Sequence, residues 1–331
     1  MKPLNLFYEE PDPDRWFPGD RHPRRAIRNL VRRNPRISGQ KRVFLNLKIG
    51  LDRLGIPYRE NDYRYIRNHP DEVACIIGKP NVLETIPWQN PILFGASIFS
   101  HPCDEPPGFQ DFPIRRILVP GDWVVEMWKP YYGDRVHPWP VGIDTDQWQP
   151  HPDQPKTIDF LLYDKVRWEH EHYTTELIDP IRAELNRRGL TFAELRYGQY
   201  EERDFHALLH QCKAMIFLCE HETQGIAYQQ ALACNVPILA WDRGGAWRDP
   251  NFYPQREQFA PVSSVPYWDR HCGLKFPAFG EFPQVLEDFQ DKRQNGLFSP
   301  RDYILEHLTL ERCAQQYLAH VEAVQGETAH G

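Results

Sequence analysis

The residues best suited to chemistry lie in Glu222-Thr-Gln-Gly225, a polar turn between the apolar run Ala214-Met-Ile-Phe-Leu-Cys219 and a helix-compatible stretch from Gly225 to about Cys234. The apolar run is short and bounded by polar residues, as a buried strand is. In the stretch that follows, Ala227 and Ala231 stand four apart on one face, small enough for a helix to lie close on a sheet. Pro237 stops that helix, and Ile238-Leu239-Ala240 reads as the next strand. Strand, turn, helix, strand places the turn and the first helical residues, Gly225 and Ile226, at the carboxyl edge of a parallel sheet. Backbone N–H groups and the helix dipole attract anions there. Glu222, an acid in that position, is unsuited to phosphate and suited to accept hydrogen bonds from hydroxyl groups of the same ligand. After the strand Ile238 to Trp241, Gly244-Gly245 lets backbone approach a ligand closely, although a bare loop explains the pair equally well.

The elements that must position these residues alternate between strand and helix. Leu4 to Tyr8, Val73 to Ile77, Pro91 to Phe94 with Ile98-Phe99, and Ile117 to Val119 read as strands. Between the first two, Val43, Phe44, Leu47, Leu51 and Leu54 recur at helical spacing, and Gly55-Ile-Pro57 ends that helix. A short helix is expected through Trp123 and Trp128, and Arg135 to Val141 completes the half. The polar, proline-rich 146–156 reads as a linker. Beyond it come a strand at Thr157 to Tyr163, a helix over Thr174 to Arg188, a strand edge at Leu195 to Tyr197, and a helix from Asp204 to Cys212. Weaker strands are expected at Phe259 to Val262 and Gly273 to Phe276, then helices at Phe282 to Lys292, Pro300 to Glu306 and Leu310 to Val324. This is an α/β pattern of two Rossmann-like domains: 1–145, 157–300, and 301–331 as helices packing back toward the first.

Composition narrows the function classes. A net charge of -7 over 331 residues disfavours nucleic acid as a partner. The basic segment from Arg21 to Arg42, with no acidic residue, fits either a solvated face or a surface for an anionic acceptor or lipid. Seven cysteines without a C-x-x-C pair, several inside apolar runs, fit reduced core thiols in the cytoplasm, and no metal-ligand spacing appears. No run has the length of a signal peptide's apolar segment or of a membrane span, so at most peripheral contact with the inner face of a membrane is expected.

Glu222-Thr-Gln-Gly225 through Val236-Pro-Ile-Leu-Ala240, together with Val141-Gly-Ile-Asp-Thr145, Tyr197-Gly198 and the final pair of helices from Arg301, resembles the retaining glycosyltransferase family 4 of GT-B architecture. The resemblance covers about 135 to 325. It implies two Rossmann-like domains whose parallel sheets face an interdomain cleft. It also implies a nucleotide-diphospho-sugar donor, no metal and no other cofactor. In the family's Glu-x7-Glu motif the first acid holds sugar hydroxyls and the second the ribose. Glu222 matches the first, and the second position is Gln230, whose amide bonds to hydroxyls without a carboxylate's charge. Gln224, Gly225, Ile226, Gly244 and Gly245 fall to the donor site on the same basis.

The resemblance also implies two cations on the diphosphate after the second domain's first strand. Lys165 stands at the arginine position. Glu171 lies about where the lysine belongs, so Arg167 is the substitute. Surface cations beside the acidic Glu169-His-Glu171 are the competing account. His101 would lie near the transferred sugar and Gly39 near the donor phosphates. The expected activity is hexosyl transfer with retention to an unidentified acceptor. A GT-B sugar-nucleotide epimerase and a catalytically silent domain binding a nucleotide or partner are the alternatives.

Overall fold

The computed structural model describes residues 2–10, 23–24, 38–96 and 99–329. Most of the basic segment between Arg21 and Arg42, and Ile98 of the expected third strand, lie outside the described residues. By internal contacts the chain divides into a first unit, Met1–Pro120 with Trp128–Trp139 and Cys313–Gly331, and a second, Gly121–Met127 with Pro140–Arg312.

The first unit holds six parallel strands in the order β2-β1-β3-β4-β5-β6: β1 Leu4–Phe7, β2 Tyr58–Glu60, β3 Ala74–Ile76, β4 Ile92–Gly95, β5 Ile114–Val119 and β6 Val136–Pro138. The sequence reading misses β2. It is an edge strand of three half-exposed residues, Tyr-Arg-Glu, and carries no apolar run to betray it. Helix α1, Gly39–Arg53, starts where the Ser38 hydroxyl accepts from the Lys41 N–H, and it buries Val43, Phe44, Leu47 and Leu51. The short α2 is Tyr63–Arg67, and of α3, Asp122–Tyr132, the residues from Trp128 onward belong to this unit. The final helix contributes its residues from Cys313 onward to this unit. There the fully buried Tyr317 lies against Trp139 with ring centroids 4.9 Å apart, and Trp139 Nε1 donates to the Cys313 carbonyl at 2.9 Å.

The second unit has five parallel strands in the order β11-β10-β9-β7-β8: β7 Ile158–Asp164, β8 Phe192–Arg196, β9 Cys212–Leu218, β10 Ile238–Trp241 and β11 Gly273–Phe276. Its helices include α4 (His170–Tyr173), α5 (Asp179–Arg187), α6 (Glu202–Gln211), α7 (Ile226–Ala233) and α8 (Phe282–Gln294). A π-helical turn, Thr174–Ile178, joins α4 to α5 just ahead of Pro180, which has no N–H to continue an ordinary ladder. One core beneath the sheet gathers Phe160, Leu162, Ile181, Leu185, Phe276 and Leu286. Phe259 to Val262, expected as a strand, forms none. The Phe259 carbonyl and the Val262 N–H bond to Trp247 and Gly245 of a neighbouring loop instead of to a strand. The polar 146–156 belongs to this unit, where Trp148 is buried against Phe205 and His206.

Two histidines couple the fold to pH. Burial, with His151, His206 and Lys156 nearby, lowers His210 in the second unit to about 4. Burial and its neighbours His137 and Arg116 lower His320 in the first to about 4. The fold therefore holds both neutral while the unfolded chain protonates them near 6.5. Their contribution is fully present above 6.5 and is lost as the pH falls toward 4. The thermal midpoint is expected to fall across that window, and to fall less steeply in His210→Gln and His320→Gln. A midpoint equally pH-dependent in all three proteins would contradict this assignment.

Candidate functional site

The strand order of the second sheet locates its topological switch point. Counting from its first strand the order is 2-1-3-4-5, the doubly wound arrangement whose switch point lies between the first and third strands. Those are β7 and β9, paired side by side, and in doubly wound sheets the ligand crevice lies outside the carboxyl ends of such a pair. The loop after β7 carries Lys165 and Arg167, and the loop after β9 carries Glu220, His221 and Glu222.

These loops are fastened to each other. The Lys165 N–H donates to the Leu218 carbonyl at 2.8 Å. Glu220 Oε1 accepts from the backbone N–H groups of Arg167 at 2.7 Å and Trp168 at 2.8 Å, and the Arg167 guanidinium stands 3.6 Å from its other oxygen. Arg167 Nη2 also donates to the His221 carbonyl at 2.9 Å. Asp164 ends β7 by accepting from the Val166 N–H at 3.0 Å and pairing with Arg196 at 2.6 Å and His170 at 2.7 Å. Trp123 Nε1 donates to the Glu222 carbonyl at 2.9 Å, and the Glu222 N–H to the Ser263 carbonyl at 2.9 Å.

On this frame the buried Glu222 forms an ion pair with the largely buried Lys165. Burial opposes both charges, yet the pairing wins. Burial would lower Lys165, but Glu222 holds its ammonium above the ordinary lysine value. Burial would raise Glu222, but Lys165 and then Arg167 hold its carboxyl below the ordinary carboxylate range. The Lys165 ammonium also lies 4.5 Å from the Tyr197 ring centroid, and Arg167 lies 4.5 Å from that of Trp168. Burial first, then Arg167, Arg243 and Lys165, drive His221 well below its ordinary value, so this imidazole is neutral. Burial and Glu222 push the Cys219 thiol far up, which leaves it a hydrogen-bond donor rather than a nucleophile.

The other expected site residues divide. Gly225, with φ of 76°, starts α7, and Ile226 is the first residue of that helix. Gln230 is buried, and among the described residues its side-chain amide has no hydrogen-bond partner. Gln224, expected on the donor, is committed to the fold. Its Oε1 accepts from the Val141 N–H at 3.0 Å while its amide nitrogen donates to the Val141 carbonyl and to Gln229. Gly244 and Gly245 have φ of 60° and 69° with open space beside them, and they line a cavity in this unit. His101 and Gly39 belong to the first unit. His101 is buried, and its Nδ1 accepts from the Cys103 N–H at 3.1 Å, capping a short 3-10 turn. Gly39 opens α1 with nothing within 4 Å of where a Cβ would stand.

Sequence reasoning missed Asp164, Glu220, His221 and Trp123. Glu220 had the clearest signal, an acid directly after an apolar strand and two residues before Glu222.

No family model matches the chain, and no curated protein does. Solved structures do. Sucrose-phosphate synthase from Thermosynechococcus elongatus aligns with a TM-score of 0.53 at 10% identity, covering 99% of this chain and 100% of that one. WaaG, a glycosyltransferase involved in lipopolysaccharide biosynthesis, aligns at 0.51 and 11%, covering 87% and 97%. AviGT4, a glycosyltransferase involved in avilamycin A biosynthesis, aligns at 0.50 and 13%, covering 98% of each. At such identities the likeness is one of fold: two parallel-sheet Rossmann-like domains, the GT-B fold of glycosyltransferases.

Proposed function

We propose that the chain is a glycosyltransferase that moves a hexose from a nucleotide-diphospho-sugar to an acceptor, with retention and without a metal. One observation carries the proposal: Lys165, Arg167 and Glu222 converge at the carboxyl ends of β7 and β9, the switch point of the second sheet. In this reading Lys165 and Arg167 neutralise the charge that grows on the departing diphosphate. Glu222 holds sugar hydroxyls, and the unpartnered Gln230 amide reaches the ribose. A diphosphate drawing Lys165 away would release the Glu222 carboxylate to the sugar, so the ion pair of the free protein holds both groups charged in advance. The departing phosphate takes the acceptor proton on the same face of the sugar, and no general base is assigned.

We place the activity in the cytoplasm, at most peripheral to a membrane, with an anionic or membrane-associated acceptor. Among the described residues no helix is long and apolar enough to cross a membrane. All seven cysteines are free, and all but Cys103 are buried.

The test is a panel of UDP-, GDP- and ADP-sugars, assayed for binding and for nucleotide release with and without a chelator. One donor is expected to bind and to release its nucleotide, insensitive to the chelator and lost in Glu222→Gln. Binding of no donor would sink the proposal. Isomerised donor without release would favour the epimerase, and binding without any conversion the silent domain.

A further inference from the structure

A cavity of about 570 Å³ lies in the second unit beyond the carboxyl ends of β10 and β11, against α4 and the π-helical turn. Its walls include Tyr173, Trp241 and Phe279, and its rim includes Arg243, Gly244-Gly245 and Arg248. Tyr173 and Trp241 meet with ring centroids 5.0 Å apart at 59°. The Trp241 indole N–H is already spent on the Pro277 carbonyl at 3.1 Å, so its ring offers an apolar surface.

The two arginines are what make this cavity unusual. Arg243 donates one hydrogen bond from Nη2, to the Ala246 carbonyl at 3.3 Å, and its Nε is buried with no partner. Among the described residues no carboxylate forms an ion pair with Arg243 or Arg248. Glu176, the carboxylate of the lining, is exposed and pairs with neither. Burial first, then Arg248 as a like charge, pull Arg243 below the ordinary arginine value, while Tyr173, Glu220 and Glu169 offset this only in part. Two guanidiniums that repel each other, one with an orphaned buried N–H, form an arrangement that an anion stabilises. The Gly244-Gly245 backbone leaves the approach open, since nothing stands within 4 Å of either missing Cβ.

We propose that this cavity is a second binding site, for an organic anion carrying a planar ring: the charged group on Arg243 and Arg248, the ring against Tyr173, Trp241 and Phe279. The site does not depend on the glycosyltransferase reading. Lys165, Arg167 and Glu222 do not line it, whereas Gly244 and Gly245, which the resemblance assigns to the donor, do.

Calorimetric titration of the full chain with phenyl phosphate, inorganic phosphate and phenol tests it. Phenyl phosphate is expected to bind tightest. Arg243→Gln should weaken it about tenfold or more, as loss of a charge-assisted contact does. The exposed Arg248→Gln should weaken it less, and Arg167→Gln should leave it unchanged. Thermal midpoints of the variants establish that each is folded, and Arg248→Gln carries the test if Arg243→Gln is not. The proposal is overturned by absence of saturable binding, or by equal affinity for phenyl phosphate and inorganic phosphate. Equal loss in Arg167→Gln would also overturn it, because the anion would then belong to the β7–β9 crevice.

Discussion

Gly225→Ala is expected to cost about 3–5 kcal/mol, a large fraction of the stability of an ordinary domain. Two terms add. The residue sits at φ of 76°, where an L side chain costs roughly 1–2 kcal/mol. The added Cβ would also stand 2.0 Å from Cε1 and 2.5 Å from Cδ1 of Tyr228. That ring has nowhere to go. Tyr228 is fully buried, and its hydroxyl accepts from the Tyr267 N–H at 3.0 Å and donates to the Tyr267 carbonyl at 3.2 Å. Overpacking of this kind adds about 1–3 kcal/mol, and a rigid neighbour puts it at the upper end. Gly244→Ala is the control. It has φ of 60° but open space around it, so the conformational term of about 1–2 kcal/mol stands alone. Urea denaturation of the two variants separates the terms, and a Gly225→Ala no worse than Gly244→Ala would refute the steric account.

The sequence made the sheets legible wherever strands are buried on both faces. Ala214 to Cys219 and Ile238 to Ala240 are continuous apolar runs, and the structure places β9 and β10 on them in the interior of the second sheet. Edge strands were harder. The half-exposed Tyr58–Glu60 looks like loop, and Phe259 to Val262 looks like strand although only Val262 is buried and its backbone is tethered to a loop through Trp247 and Gly245. A short apolar run does not distinguish a ladder from a tethered coil.

The candidate site was legible in residue type but not in commitment. Glu222 was singled out by its place after a buried strand, and Lys165 and Arg167 by the resemblance, yet only the fold shows that Lys165 and Glu222 pair with each other. Gln224 illustrates the limit from the other side. It stands in the turn beside Glu222, but its amide is used up on Val141 and Gln229, partners 83 and 5 residues away. Glu220 was overlooked because its work is done on backbone N–H groups of a loop about fifty residues earlier, which no local spacing reveals.

Lys165→Ala should therefore be destabilising for a reason that has nothing to do with a ligand. Removing Lys165 leaves the buried Glu222 carboxylate without its ion-pair partner and offset only in part by Arg167, at a cost of up to about 3–5 kcal/mol. The pH dependence identifies the cause. In the wild type the Glu222 carboxyl lies below its ordinary 4.5, so the pair's contribution is present above that value and lost as the pH falls through the folded value. In the variant the largest remaining influence on Glu222 is burial, which raises it, and the carboxyl escapes its penalty by taking up a proton. The stability gap between the two proteins should accordingly narrow as the pH is lowered from 7 toward 4. A gap independent of pH would mean that lost packing, not the orphaned carboxylate, sets the cost. The double variant Lys165→Met with Glu222→Leu then separates structure from function. Apolar replacement of both partners is often neutral or stabilising, so the fold should return. Sugar-nucleotide turnover should stay about 10²–10³-fold down or lower, because the groups aimed at the developing charge and at the sugar are gone.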